Sequence, residues 1–129
     1  MPPVILGLGL DLVEVARVEA LVARHPARAA ARLFTEGEWG YAATKARPAL
    51  HLAARFAAKE AAYKALTGSA EARAIGWRDL EVVRGADGSP ALVLHGRAEA
   101  RARVLGVRTI HLSLTHTADT AAAVVILES

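Results

Sequence analysis

Hydrophobic and polar positions change their spacing several times along the chain, and each change predicts an element. Val4 to Leu10 is an apolar run interrupted only by glycines, which predicts a buried strand that another backbone approaches closely. Asp11 to Glu14 has the form of a capping box, so it predicts a helix from about Leu12 to Arg24, ended by Pro26.

The middle of the chain carries mainly helical signals. Residues 27–34 predict a short helical turn, and Thr35 to Glu38 is a second capping box that starts a helix ending before Pro48. The alanine-rich stretch from Ala49 to Leu66 predicts the longest helix, closed by Gly68.

The last part of the chain alternates strand and helix signals. The pattern predicts two strands, Leu80–Arg84 and Ala91–His95, joined by a turn at 85–90. It then predicts a helix, Arg97–Leu105, and two final strands, Val107–Leu114 and Ala121–Leu127. This order predicts one α+β domain over residues 1–129, with a mainly antiparallel sheet packed against one long helix and several short ones.

Charge and composition narrow the classes of function. The net charge is +3 and the pI about 9.8, which fits an anionic partner such as a nucleic acid, a phosphate ligand or an acidic protein. Aromatic residues make up only 5% of the chain, which argues against a nucleic-acid-binding module that stacks bases on aromatic side chains.

The chain has no cysteine, which excludes disulfides and thiolate chemistry. The apolar start is too short for a membrane span or signal peptide, so we expect a soluble cytoplasmic protein.

Asp11 is the first residue whose chemistry needs an explanation. A carboxylate at the end of a buried strand must be paired, used as a helix cap or bound to a cation. The capping box ending at Glu14 favours the cap, but a cap uses only part of the acceptor capacity of a carboxylate, so both roles stay open.

A second group of charges lies on the longest predicted helix. Lys59 interrupts an apolar stripe that includes Phe56 and Tyr63, and Glu60 follows it directly. Glu60 and Lys64 also have the spacing of an ordinary i,i+4 ion pair, so the pattern alone fits either a site or a solvated helix edge.

Two further patterns are ambiguous in the same way. Ser113 to Thr117, which includes His116, suits phosphate or nucleotide binding at a strand end, or a simple turn. Arg17 and Arg24 are seven residues apart and share one face of the first helix. They form either a docking surface for an acidic partner or a solvated face.

Three motifs, in this order in so short a chain, resemble one family. Gly9-Leu10-Asp11 is similar to its apolar-Gly-apolar-Asp strand end, and Arg55 to Lys64 is similar to its Phe/Trp-x-x-Lys-Glu-Ala/Ser-x-x-Lys helix. Ser113 to Thr117 resembles its strand end near the C-terminus. The chain therefore resembles the holo-acyl-carrier-protein synthase group of phosphopantetheinyl transferases.

The resemblance implies a reaction and a set of roles. Such enzymes transfer 4′-phosphopantetheine from coenzyme A to a serine of apo acyl carrier protein, release 3′,5′-ADP and serve fatty-acid synthesis. The implied roles are Mg²⁺ binding by Asp11 and Glu60; coenzyme A binding by Arg55, Lys59, Lys64 and His116; stabilisation of the leaving group by Lys64; and carrier-protein binding by Arg17 and Arg24. Glu60 is the candidate base. The resemblance also implies a homotrimer with active sites at subunit interfaces and no nucleic-acid or membrane partner.

Two other functions compete with this one. A basic adaptor for nucleic acid or an acidic protein predicts no role for the carboxylates. A magnesium phosphohydrolase keeps Asp11 and Glu60 but needs no carrier-docking face, so replacing Arg17 and Arg24 separates the hypotheses.

Overall fold

Residues 2–66 and 74–129 are described by the computed structural model of the chain. The helices are α1 (Val15–Arg24), α2 (Pro26–Arg32), α3 (Glu36–Ala43), α4 (Pro48–Leu66) and α5 (Gly96–Leu105). The strands are β1 (Ile5–Glu14), β2 (Leu80–Arg84), β3 (Pro90–Leu94), β4 (Thr109–His116) and β5 (Thr120–Glu128). A 3-10 turn, Trp77–Asp79, precedes β2. The predicted helix stop at Gly68 lies outside the described residues.

Two antiparallel sheets pack with the helices. The larger has the strand order β1-β5-β4, and the smaller is the β2-β3 hairpin. On β5 every second residue is buried, at Ala121, Ala123, Val125 and Leu127, and this face meets α4. The predicted α+β class, with an antiparallel sheet against one long helix, is confirmed.

The capping box predicted at Asp11 is wrong. Asp11 lies inside β1, where it is paired with Ala123 of β5, and the strand continues to Glu14. Helix α1 therefore begins at Val15, and its N-cap residue makes no side-chain cap. Pairing along the whole of β5 outweighs the local cap signal, because a ladder of backbone hydrogen bonds satisfies more donors than one cap.

The other local signals are confirmed. Thr35 and Glu38 form a reciprocal capping box at the start of α3. Gly106 ends α5 with a φ of +83°, in the left-handed region that favours glycine. Helix α2 and strands β2 to β5 lie within a few residues of their predicted bounds. No helix in the described ranges is long and apolar enough to span a membrane.

Two glycines bring β1 unusually close to α4. A Cβ on Gly9 would overlap the carbonyl oxygen of Ala61, and a Cβ on Gly7 would overlap that of Ala65, one turn later. Small residues on both elements are therefore what lets the strand lie directly against the helix. This close approach brings the end of β1 to the part of α4 that carries Glu60 and Lys64.

Candidate active site

Asp11 points toward α4 because side chains alternate along a strand. Gly7, Gly9 and Asp11 share one face of β1, and the glycines on that face are the ones in contact with the helix. The Asp11 side chain is only 10% exposed, and its Oδ1 lies 2.9 Å from the Nζ of Lys64. The alternation of side chains therefore places the Asp11 carboxyl group at the surface of α4, beside Lys64.

Glu60 lies beside Asp11, within hydrogen-bonding reach of its carboxyl group. Burial, a hydrogen bond with Asp11 and the negative charge of Asp11 together raise the pKa of Glu60 to about 7. Arg17 and Lys64 are close enough to act in the opposite direction. Oδ2 of Asp11 is buried and has no hydrogen-bond partner among the described residues when both groups are ionised. Two adjacent carboxyl groups with a spare buried oxygen need a shared proton or a cation between them.

Lys64 supplies one positive charge to this pair. Its ammonium donates to the Leu10 carbonyl at 3.1 Å as well as to Asp11, and the contact with Asp11 raises the pKa of Lys64. Its side chain is 54% exposed, so it remains open to a ligand. We call Asp11, Glu60 and Lys64 the carboxylate site.

The carboxylate site fits a hard divalent cation that shares its ligands with a substrate. Carboxylate oxygens are the protein ligands that Mg²⁺ prefers, and Mg²⁺ commonly takes one or two of them and fills its octahedron with water and phosphate. Within residues 2–66 and 74–129, no cluster of three or more His, Asp or Glu side chains is placed to hold a metal by itself. The spare Oδ2 of Asp11 is the atom that such a cation would satisfy.

Lys59 does not join this site. It is fully buried, and its ammonium contacts a Glu38 carboxylate oxygen at 2.7 Å, the Leu80 carbonyl at 2.6 Å and the Trp77 carbonyl at 3.0 Å. These three contacts use all three N–H donors of the ammonium. Its burial argues against the expectation that Lys59 binds a coenzyme A phosphate, so we do not include it in the proposed ligand site.

Arg55 belongs to a second charged group, which surrounds a tyrosine ring. Its guanidinium lies 4.3 Å from the centre of the Tyr41 ring. The guanidinium of Arg84 lies 5.3 Å and the ammonium of Lys45 lies 4.8 Å from the same centre. Arg84 also donates to the Tyr41 hydroxyl at 2.5 Å, and His51 meets the ring edge-on. We call Tyr41, Lys45, His51, Arg55 and Arg84 the Tyr41 cluster.

The electrostatics of the Tyr41 cluster favour an anion. Burial is the largest single influence and acts to raise the pKa of Tyr41, but the charges of Arg84, Lys45 and Arg55 and the hydrogen bond from Arg84 together outweigh it and lower the pKa. Burial, followed by the charge of Arg55, lowers the pKa of His51, and His116 at the end of β4 acts in the same direction. Burial also lowers the pKa of Arg55, whose Nε has no partner among the described residues. An anion would relieve this accumulation of positive charge.

The two predicted carrier-binding arginines are exposed on α1. Arg17 and Arg24 border a shallow groove that also includes Leu21, and Leu21 is exposed to 39%. A neighbouring groove between α1 and α2 adds Arg28 and Arg32 around the same leucine. The exposed face therefore combines an apolar centre with a basic border.

Sequence reasoning missed most of the Tyr41 cluster. Tyr41, Lys45 and Arg84 come from α3, the segment after it and β2, and nothing in their spacing links them. His51 and Arg55 are four residues apart on α4, so helical spacing was the one signal that pointed to a shared face. His116, in contrast, was singled out and lies near this cluster.

Known proteins resemble the chain over nearly its whole length. The model of the 4′-phosphopantetheinyl transferase superfamily matches residues 7–125. A holo-[acyl-carrier-protein] synthase of Anaeromyxobacter sp. (strain K) is 53% identical over 127 residues, which is 96% of each chain. The crystal structure of a synthase from Neisseria meningitidis has a TM-score of 0.84 at 27% identity, covering 98% of this chain and 100% of that one. A Bacillus anthracis synthase in complex with CoA (3′,5′-ADP) has a TM-score of 0.75 at 32% identity, with 97% of each chain covered. With this identity and this coverage, the chain belongs to the holo-acyl-carrier-protein synthases of the 4′-phosphopantetheinyl transferase superfamily.

Proposed function

We propose that this chain transfers 4′-phosphopantetheine from coenzyme A to a serine of apo acyl carrier protein and releases 3′,5′-ADP. The observation that carries the proposal is the meeting of the Asp11 and Glu60 carboxyl groups beside Lys64, in a chain of this family. Fatty-acid synthesis in the cytoplasm, as the setting of the reaction, is part of the same proposal and rests on the family resemblance.

Asp11 and Glu60 would hold a Mg²⁺ ion together with the pyrophosphate of coenzyme A. The spare Oδ2 of Asp11 and the raised pKa of Glu60 support this assignment, because both indicate that Lys64 neutralises the two carboxyl groups only in part. When bound, the ion would supply positive charge to the pyrophosphate, whose neutralisation is a main part of phosphoryl-transfer catalysis.

The transfer itself exchanges one P–O bond for another. The serine oxygen attacks the β-phosphorus of coenzyme A, the bond from this phosphorus to the bridging oxygen breaks, and that oxygen leaves on 3′,5′-ADP. We propose Glu60 as the acceptor of the serine proton, since its carboxyl group lies beside Asp11 and close to Lys64, where the pyrophosphate would bind. Lys64 is exposed and charged, and it would stabilise the leaving 3′,5′-ADP.

The Tyr41 cluster would bind a phosphate of the same coenzyme A molecule. Arg55 and His116 were expected to do so, and the neighbouring Lys45 and Arg84 add positive charge at that place. Arg55 and Glu60 are five residues apart on α4, which is about 7.5 Å along the helix axis. Coenzyme A carries its 3′-phosphate and its pyrophosphate on the same ribose, so we propose that one molecule reaches both sites.

The exposed face of α1 would receive the acidic carrier protein. Arg17 and Arg24 border a groove centred on Leu21, a combination that suits a helix with acidic and apolar side chains. Arg17 also acts on the pKa of Glu60. A carrier bound at this face would therefore lie close to the carboxylate site.

A homotrimer with shared active sites would cover the outer face of the larger sheet. Leu8, Leu10 and Leu12 of β1 are exposed to 62%, 62% and 69%, on the side of the sheet opposite α4. Val124 and Ile126 of β5 pair with two of them and extend the apolar surface. An apolar face of this extent is typical of an interface between protein chains.

Mass spectrometry of apo acyl carrier protein incubated with this chain, coenzyme A and Mg²⁺ tests the proposal. We expect a gain of about 340 Da on one serine, the mass of the phosphopantetheine group that phosphoryl transfer adds. The gain should be absent with EDTA and with Glu60→Gln. Hydrolysis of coenzyme A without carrier modification would favour the phosphohydrolase, and binding without either reaction would favour the basic adaptor.

A further inference from the structure

A buried ion pair lies on the side of α4 that the proposed mechanism does not use. The Glu38 and Lys59 side chains have no exposed surface, and their charged atoms are 2.7 Å apart. Burying two charges is unfavourable unless good geometry and further hydrogen bonds offset the lost hydration. Apolar side chains of similar volume often fill such a position at least as well, so the pair calls for an explanation beyond stability.

Both partners of this pair bind the backbone of other elements. Glu38 accepts the Thr35 N–H through Oε1 and the Val82 N–H through Oε2, each at 2.9 Å. Lys59 donates to the Leu80 and Trp77 carbonyls at 2.6 Å and 3.0 Å. The pair therefore joins the start of α3, the middle of α4 and the segment entering β2 at one point.

The position of Lys59 in α4 gives this junction a consequence for the carboxylate site. Lys59 directly precedes Glu60, and Ala61 directly follows it. Ala61 is held against Gly9 of β1 by the close approach of strand and helix, whereas Lys59 is held against Glu38 on another side of the same turn. Glu60 thus lies between two residues whose positions are fixed by contacts in different directions.

A helix held at two neighbouring positions cannot rotate about its axis in the intervening turn. An apolar contact at position 59 would tolerate small rotations, because dispersion contacts have little directional preference. An ammonium with three directed hydrogen bonds tolerates far less. A small rotation of this turn would displace the Glu60 carboxyl group relative to Asp11, which lies on β1 and does not move with α4.

We propose that Glu38 and Lys59 are positioning residues, which orient Glu60 toward Asp11 by fixing the rotation of this turn of α4. The inference rests on the proposed metal site at Asp11 and Glu60. It assigns a role in ligand geometry to a pair that touches neither coenzyme A nor the cation.

The test measures binding of Mn²⁺ alone, by electron paramagnetic resonance, to the full-length chain and its variants. Lys59→Met leaves the Glu38 carboxylate buried without its partner, and we expect its melting temperature to fall by about 10–20 °C. In Glu38→Gln/Lys59→Met both charges are removed, so much of this loss should be recovered. We expect the double variant to bind Mn²⁺ about tenfold more weakly than the wild type, at the low end of the loss caused by replacing direct partners of metal ligands, because this pair acts on Glu60 through the helix.

A core variant of the β2-β3 hairpin separates positioning from stability. Leu92→Ala removes a buried side chain on β3. It should lower the melting temperature at least as much as the double variant does, with Mn²⁺ affinity unchanged. Wild-type affinity in the double variant would overturn the inference, and so would an equal loss of affinity in Leu92→Ala. Absence of Mn²⁺ binding by the wild type would refute the proposed metal site itself, and this inference with it.

Discussion

Gly9 and Ala61 are in backbone contact, so closely that a single added methyl group on the glycine would overlap the alanine carbonyl oxygen. This contact sets the distance between β1 and α4, and thereby between Asp11 and Glu60, which lie beside it on the two elements. The carboxylate site consequently depends on a position that carries no side chain.

Gly9→Ala should damage both stability and metal binding. The new methyl group meets backbone atoms, which cannot move aside as a flexible side chain can, so β1 and α4 must separate. We expect a loss of about 1–3 kcal/mol in the free energy of unfolding and a loss of carrier modification larger than this destabilisation explains. Urea denaturation and the transfer assay measure the two effects.

Gly40→Ala is the matched control for Gly9→Ala. A Cβ at Gly40 meets nothing within 4 Å, and the residue lies inside α3, where alanine is favoured over glycine by up to about 1 kcal/mol. This variant should be as stable as the wild type or more so, with full activity. Equal effects at both glycines would contradict the role given to the β1–α4 contact.

Glu60 should make the cation-free protein less stable as the pH rises. Its pKa is about 7 in the folded chain against an ordinary value of 4.5, so the folded state holds a proton that the unfolded state releases between these values. Stability is therefore lost from about pH 4.5 to 7, and the deficit is complete above that range. In EDTA, Glu60→Gln should be more stable than the wild type at pH 8 by about 1–2 kcal/mol, allowing for partial solvent screening.

Denaturant titrations of both proteins at pH 4.5 and pH 8 check this sign. The difference between Glu60→Gln and wild type should be clearly larger at pH 8. The Glu19→Gln variant serves as the control, since it removes a solvent-exposed carboxylate of α1. If the stability difference between Glu60→Gln and wild type stayed constant with pH, the pKa of Glu60 would not be raised in the cation-free protein.

Arg17→Ala/Arg24→Ala should weaken carrier binding and leave coenzyme A binding intact. Both side chains are exposed on α1 and make no hydrogen bond or ion pair with the part of the chain that the structure describes, so stability should change little. We expect KM for the carrier to rise about tenfold or more, with Kd for coenzyme A measured by calorimetry unchanged. Arg103→Ala on α5 removes an arginine of similar exposure and should alter neither quantity. Loss of coenzyme A binding in the double variant would argue against a carrier-docking role.

Leu10→Asp should abolish self-association. The leucine is 62% exposed in the single chain, on the outer face of the larger sheet, and a charge there would be buried without a partner in an assembly. Sedimentation equilibrium should give three times the chain mass of 13.6 kDa for the wild type and one chain mass for the variant. Val104→Asp, at an exposed apolar position on α5, should leave the assembly intact. A monomeric wild type would refute the proposed trimer.

The sequence predicted the helices and strands more reliably than it predicted the tertiary contacts between them. Local signals such as the Thr35 capping box and Gly106 were reliable because each acts within a few residues. The Asp11 capping box failed because β5, more than a hundred residues away, pairs with the same segment. Whether a local capping signal forms a cap cannot be predicted from adjacent residues when a strand distant in sequence pairs with the same segment.

The same limit explains the outcome at the site. The motifs singled out Asp11, Glu60 and Lys64, and the structure brings their side chains together, whereas their roles stay proposals. Lys59 was expected at a phosphate because the family resemblance implied it, and nothing near it in the sequence indicated that it would be buried against Glu38. Arg84 was overlooked because its place beside Tyr41 depends on how the β2-β3 hairpin folds back over α3 and α4.

The alternation of side chains along β1 makes this strand sensitive to length as well as to composition. One face carries Asp11 toward α4, and the other carries Leu8, Leu10 and Leu12 away from it. Deleting or inserting one residue before Asp11 would exchange the faces: the carboxylate would point outward, and a leucine would meet the helix where only glycine fits. A single substitution disturbs only the face on which it lies, whereas a shift of one residue along the strand removes the site and the apolar surface together.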